Sequence, residues 1–192
     1  MNDKNDIEIL KDFVEILEKL GIRYAIGGSI ASSFYGKVRF TIDADITVEP
    51  FIHSVDIFYQ SLKSDFYISK DAVYQALKAG ASFNIVHLQT SFKIDVFICK
   101  DIPFQRQMLQ HPRKLKLSQS VDKLFSVVSP EDIILLKLQW FHSSGCVSEK
   151  QWADILGVLR IQDDKLDYDY LKKWADDMKL SDLLKKALSE FK

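Results

Sequence analysis

The chain has 192 residues, 47% hydrophobic and 28% charged, with a formal net charge of −1. That composition excludes a disordered chain, and the balanced charge gives no bulk drive toward nucleic acid, though a local basic patch stays compatible with it. No run reaches the ~18 apolar residues of a membrane span, and the acidic opening MNDKNDIEILKD lacks the apolar core of a signal peptide, which sets the expectation of a cytoplasmic protein. Cys99 and Cys146 stand far apart in no metal-ligand spacing and read as inert thiols of a reducing cytosol.

In chain order, Ile7, Leu10, Phe13, Val14, Leu17 and Leu20 recur at helical spacing, with Asn5 or Asp6 to cap the helix and Gly21 to end it. Arg23–Ile26 is a short apolar strand broken by Gly27-Gly28. The small residues from Ser29 to Tyr35 predict a helix ending at Gly36. A strand, a Gly-Gly-Ser turn and a helix form a recipe for holding phosphate: glycines admit close approach, and the N–H groups at the helix start face outward. Lys37 and Arg39 add positive charge before the next strand.

That strand runs from about Phe40 to Val48 and is closed by Pro50. It holds Asp43 and Asp45 one residue apart. Side chains alternate along a strand, so the two carboxylates share one face while Ile42, Ala44 and Ile46 take the other. Two like charges side by side are unfavourable unless a cation or ligand neutralises them, which points to a metal.

A helix over 51–62, a short strand at 66–68, and a helix over 71–78 capped by Asp71 and ended by Gly80 follow. Ser82–Leu88 and Phe92–Ile98, joined at Gln89-Thr90-Ser91, predict an antiparallel hairpin. On its second strand Lys93, Asp95 and Phe97 share a face. A lone Asp in such a run either pairs with something or faces water on an edge strand beside Lys93. After Lys100 the chain turns basic (Arg106, His111, Arg113, Lys114, Lys116), and loops with a short strand near 115–117 are expected. These charges either steer a nucleotide or RNA or form a solvated face. Lys123–Val128 reads as a strand, and Ser129-Pro130-Glu131-Asp132 opens a helix with a cap, a proline and acids in the first turn. Lys137 lies on that helix, either functional or snorkelling. Asp154, on the helix over 148–160, reads as a surface acid. Two further helices, over 168–178 and 181–191, complete the chain, giving an α/β region over 1–128 and a helical region over 129–192.

Two carboxylates on one strand and a third on a later strand can hold one or two Mg²⁺ ions. Gly27-Gly28-Ser29, thirteen intervening residues and Asp43-Ala44-Asp45-Ile46 resemble the signature of the nucleotidyltransferase-fold superfamily (DNA polymerase β-like). Arg39-Phe40-Thr41-Ile42, the Ser129–Leu138 helix and Trp152-Ala-Asp154-Ile155 resemble the subgroup with AbiEii-type toxins and small uncharacterised nucleotidyltransferases. The Arg39–Ile46 run is also similar to that of antibiotic nucleotidyltransferases. The resemblance spans roughly Tyr24 to Arg160.

It implies an α+β fold: a mixed β-sheet with flanking helices, followed by a C-terminal helical bundle. It further implies metal-dependent transfer of a nucleoside monophosphate from an NTP to a hydroxyl of RNA such as tRNA, protein, or a small molecule such as an aminoglycoside or lincosamide. Asp43, Asp45 and Asp95 would be the metal ligands, with Asp95 the candidate base. Gly27, Gly28, Ser29, Arg39 and Lys137 would contact nucleotide phosphate. A toxin-type role with a cognate antitoxin, or a homo-oligomer, follows from the same resemblance. The alternatives are a nucleotide-binding module without turnover and an interaction domain using the C-terminal helices.

Overall fold

Alternation between apolar and polar positions organises the β-sheet. In the computed structural model, which describes residues 5–38 and 41–191, β2 (Asp43–Val48) buries Ala44, Ile46 and Val48 and leaves Asp43, Asp45 and Thr47 half-buried. Strand β5 (Lys93–Ile98) repeats the pattern, burying Ile94, Val96 and Ile98. The chain separates into two compact units, Met1–Gly27 with Thr41–Val127, and Gly28–Phe40 with Val128–Lys192.

The first unit carries the sheet. Its strands β1 (Tyr24–Ile26), β2, β3 (Phe66–Tyr67), β4 (Ser82–His87), β5, β6 (Arg113–Leu115) and β7 (Phe125–Val127) lie in the order β3-β4-β5-β2-β1-β7-β6. β2 pairs parallel with β5 and antiparallel with β1, while β1 pairs parallel with β7. β4 and β5 form the expected antiparallel hairpin, with Ser91 of its turn at φ 60°.

The buried face packs against α1 (Asp6–Lys19) and α3 (Val55–Leu62). Phe13 meets Phe58 with ring centroids 6.1 Å apart, and Phe58 meets Phe51 at 4.9 Å and Phe83 at 6.2 Å. Each such side chain contributes about 1.5–3 kcal/mol by leaving water. Asn5 caps α1 in a capping box with Glu8, and Gly21 follows at φ 69°. For α4 (Lys70–Ala79) the cap is Ser69, whose hydroxyl accepts from the Ala72 N–H, in place of the expected Asp71.

Where loops were expected after Lys100, the chain forms helix α5 (Pro103–Gln110). Pro103 sits in its first turn, where a missing N–H costs nothing, and Phe104, Met108 and Leu109 are buried. The strand expected near 115–117 lies at Arg113–Leu115.

The second unit is helical: α2 (Gly28–Tyr35), α6 (Pro130–Ser143), α7 (Glu149–Gln162), α8 (Tyr168–Asp177) and α9 (Ser181–Glu190). The Tyr35 hydroxyl donates to the Val128 carbonyl at 2.9 Å, and Gln162 Nε2 donates to the Tyr35 carbonyl at 2.8 Å. α2 ends against α7 at Gly36, where an added Cβ would lie 2.9 Å from the Val158 nitrogen and 3.0 Å from the Gly157 carbonyl carbon. Only glycine permits that approach of two backbones.

Ser129 caps α6 by accepting from the Asp132 N–H, as expected. The two acids of its first turn are buried, which was not expected. Glu131 Oε1 accepts from the Asp167 N–H at 3.0 Å, and Asp132 Oδ1 accepts from the Tyr170 hydroxyl at 2.7 Å, so both tie α6 to α8. Burial holds the Asp132 carboxyl above its ordinary pKa against these hydrogen bonds.

Replacing Gly36 by alanine is expected to lower stability by about 1–3 kcal/mol through overpacking against backbone that cannot rotate away; urea unfolding measures it. A second expectation concerns pH. A raised carboxyl binds its proton more tightly in the folded chain, so its contribution is fully present below the ordinary carboxyl pKa and is lost as pH rises through the raised value. Asp132→Asn should therefore gain stability relative to the unsubstituted protein as pH rises from about 4 to about 8 in thermal melts, whereas parallel curves would contradict the assignment.

Candidate functional site

The half-buried face of β2 and β5 gathers four charged residues. In the parallel register Asp45 lies opposite Asp95, and Asp43 lies opposite Lys93. The strand alternation therefore brings all three sequence-identified carboxylates to one face, on neighbouring strands. β5 is interior, between β4 and β2, so Asp95 is not on an edge strand. Its partner is Lys93, whose Nζ lies 2.6 Å from Asp95 Oδ2.

The hydrogen bond to Asp95 raises the Lys93 ammonium above lysine's ordinary pKa. The charges of Asp95, Asp43 and Asp45 act in the same direction, and partial burial opposes them. Asp43 is held from its own strand end, where the Thr41 hydroxyl donates to Asp43 Oδ1 at 2.8 Å. Asn84 of β4 lies opposite Asp95 on the other side.

Hard carboxylate oxygens are the donors that Mg²⁺ selects, so the chemistry of this face fits such an ion. The donors are not drawn together: among the described residues, no group of three or more His, Cys, Asp or Glu side chains is placed to hold a metal. Lys93 holds Asp95 instead.

β1 leads into Gly27, whose N–H donates to the Asp45 carbonyl at 2.8 Å and so pins the end of β1 beside the aspartate strand. An added Cβ on Gly27 would meet nothing within 4 Å among the described residues. The fold does not require glycine there, and the space beside it is open. Gly28, next in the chain, has φ 53°, a conformation that disfavours any side chain. Ser29 stands in the first turn of α2. Arg39 lies outside the described residues.

Lys137 is taken up inside the helical unit. Its Nζ lies 2.8 Å from Asp154 Oδ2 and 2.9 Å from Gln151 Oε1, with the Lys137 and Asp154 side chains only 5% and 10% exposed. Asp154 is therefore not a surface acid, contrary to expectation: α7 turns it inward, and Ser32 of α2 donates to the same oxygen at 3.4 Å. Lys137 does not snorkel to water either. Gln151 and Ser32 were missed by sequence reasoning because an uncharged polar side chain on an amphipathic helix gives no signal of its inward orientation.

No family model matches the chain, and no curated protein matches it in sequence. Solved structures match its fold. The antibiotic-resistance factor ANT(2″)-Ia is 11% identical, over 95% of this chain and 92% of that one, with a TM-score of 0.51. The lincosamide antibiotic adenylyltransferase LnuA, lincomycin-bound, is 15% identical over 83% of this chain and 99% of that one, with a TM-score of 0.49. An antigenic nucleotidyltransferase-like protein from Paracoccidioides brasiliensis is 20% identical over 78% and 72%, also at 0.49. At such identities likeness bears on fold alone: the chain shares an α+β fold, a seven-stranded mixed sheet with helices, with the antibiotic-resistance factor ANT(2″)-Ia. Among the described residues no helix is long and apolar enough to cross a membrane.

The buried pair gives a direct expectation. Asp154→Ala takes the carboxylate away from the buried Lys137 ammonium and should cost about 3–5 kcal/mol in urea unfolding, while the double change Lys137→Met with Asp154→Leu should recover most of that loss.

Proposed function

We propose that this protein is a metal-dependent nucleotidyltransferase that moves a nucleoside monophosphate from an NTP to a hydroxyl acceptor. The observation that carries the reading is the register of β2 and β5, which sets Asp45 beside Asp95 with Asp43 on the same half-buried face, in a chain that shares the fold of ANT(2″)-Ia. Such an acidic face is destabilising unless cations meet it, and the substrate itself arrives as a polyanion that requires them.

Asp43, Asp45 and Asp95 would hold one or two Mg²⁺ ions, which when bound neutralise phosphate charge and stabilise the attacking and leaving oxygens of an in-line displacement. Asp95 is the candidate base. Its carboxylate takes the proton of the acceptor hydroxyl as the new oxygen–phosphorus bond forms at the α-phosphorus, the bond to the bridging oxygen breaks and pyrophosphate departs. Gly27 supports the reading by leaving open space where a larger residue would fit, room into which a phosphate can come close. Gly28 and Ser29, which continue the chain, are the proposed backbone donors to phosphate, with Arg39 a further cation. Lys137 is engaged by Asp154 and Gln151, so its assignment to phosphate requires that it leave them.

The acceptors proposed are RNA, a protein hydroxyl, and small polyhydroxylated molecules of the aminoglycoside or lincosamide kind; transfer to cellular RNA or protein would fit a toxin with a cognate antitoxin. A second reading, a nucleotide-binding module without turnover, draws on two observations: Asp95 is held by Lys93, and no three-ligand group is assembled among the described residues.

Incubation with each α-labelled NTP, Mg²⁺ and each acceptor class separates the two. Transfer is expected for one class, with Asp43→Asn combined with Asp45→Asn lowering it by at least about a hundredfold, the scale of losing stabilisation of the developing charge. Nucleotide binding without transfer to any class would favour the second reading, and transfer unaffected by the double substitution would sink the first.

A further inference from the structure

Among the described residues of β2 and β5, Lys93 is the one on the acidic face whose charge opposes the binding of a metal. It lies directly across from Asp43 in the register, two residues before Asp95 on the same face of β5, with its ammonium on Asp95 Oδ2. We propose that Lys93 is a tethered counter-ion that competes with divalent metal for this face, so that metal loads only as the lysine leaves Asp95. The inference rests on the nucleotidyltransferase reading and adds a gate to its site.

Three features of the structure support it. First, three carboxylates on adjacent strand positions need a positive charge whether or not a metal is bound, and Lys93 supplies one covalently. Second, the pair can open without strain. Its side chains are 40% and 23% exposed, β5 buries only the opposite face, and a lysine ammonium on a flexible stem reorients into water readily. By contrast, the Lys137 and Asp154 side chains are only 5% and 10% exposed. Third, the absence of any assembled three-ligand group among the described residues coincides with the engagement of the third carboxylate by Lys93.

The other side chains turned toward this pair are compatible with a moving cation. Asn84 stands across from Asp95 and Val86 across from Lys93 on β4, and neither brings a further charge. On the β2 side the facing groups are Asp43 and Asp45, with Thr41 donating to Asp43. A released ammonium is then available to the phosphates of an arriving nucleotide, so metal and nucleotide should load cooperatively: each disfavours the closed Lys93–Asp95 pair.

Mn²⁺ binding, read from the electron-paramagnetic-resonance signal of the free ion, tests this without reference to activity. Lys93→Gln is expected to bind Mn²⁺ on the order of tenfold more tightly than the unsubstituted protein, the effect of removing one nearby positive charge at moderate effective dielectric. Lys93→Arg should track the unsubstituted protein, and adding Asp43→Asn to Lys93→Gln should abolish the gain. Lys93→Ala provides a second neutral variant, with circular dichroism confirming the fold of each. Equal affinity in the Gln, Ala, Arg and unsubstituted proteins, all weakened by Asp43→Asn, would overturn the gate and leave the metal site standing. Absence of Mn²⁺ binding in every variant, with and without ATP, would overturn the metal-site reading and the gate with it.

Discussion

Everything in the candidate site depends on the pairing of β2 with β5. A shift of one residue in that parallel ladder would leave the aspartates facing apart, since strand side chains change faces with every step. The observed register places Asp45 against Asp95 and Asp43 against Lys93, and the same register sends Ala44, Ile46, Val48, Ile94, Val96 and Ile98 to the buried side. Burial of these six apolar side chains and alignment of the acids are one constraint. The hydrophobic face fixes the register, and the register in turn assembles charges that repel one another.

That coupling explains why an unfavourable arrangement persists. The acidic face is held by the core behind it, in particular by the cluster of Phe13, Phe51, Phe58 and Phe83, and is moderated by Lys93. The Gly27 N–H, bonded to the Asp45 carbonyl, adds a backbone constraint from β1. The helical unit solves a different problem with similar groups. There Lys137 and Asp154 are buried and satisfied by Gln151 and Ser32, an arrangement suited to fixing the mutual positions of α2, α6 and α7. The lysine–aspartate pair of the sheet is thus partly open to water, whereas that of the helical unit is enclosed.

Much of this was legible in the sequence. Period-two alternation gave the common face of Asp43 and Asp45 and that of Lys93 and Asp95, and the capping residues gave the starts of α1 and α6. What escaped was decided by partners distant along the chain. Asp154 reads as a surface acid because Lys137 and Ser32 stand 17 and 122 positions away, and Asp132 reads as an ordinary first-turn acid because Tyr170 is 38 positions away. Helix α5 was hidden by composition: its three buried residues, Phe104, Met108 and Leu109, are scattered among polar ones, and Pro103 looks like loop punctuation when it is a helix start. Asp95 was found by pattern, but its membership of an interior strand required the sheet order.

The central claim is that the face shared by Asp43, Asp45 and Asp95 takes a divalent cation together with a nucleotide. Anomalous diffraction from crystals grown with Mn²⁺ and a non-hydrolysable NTP addresses it most directly. A peak at about 2.0–2.3 Å from carboxylate oxygens of Asp43 and Asp45, next to the nucleotide's phosphates, is the result expected. Nucleotide and metal bound away from β2 and β5, or a face still closed by Lys93 at saturating Mn²⁺, would contradict the account.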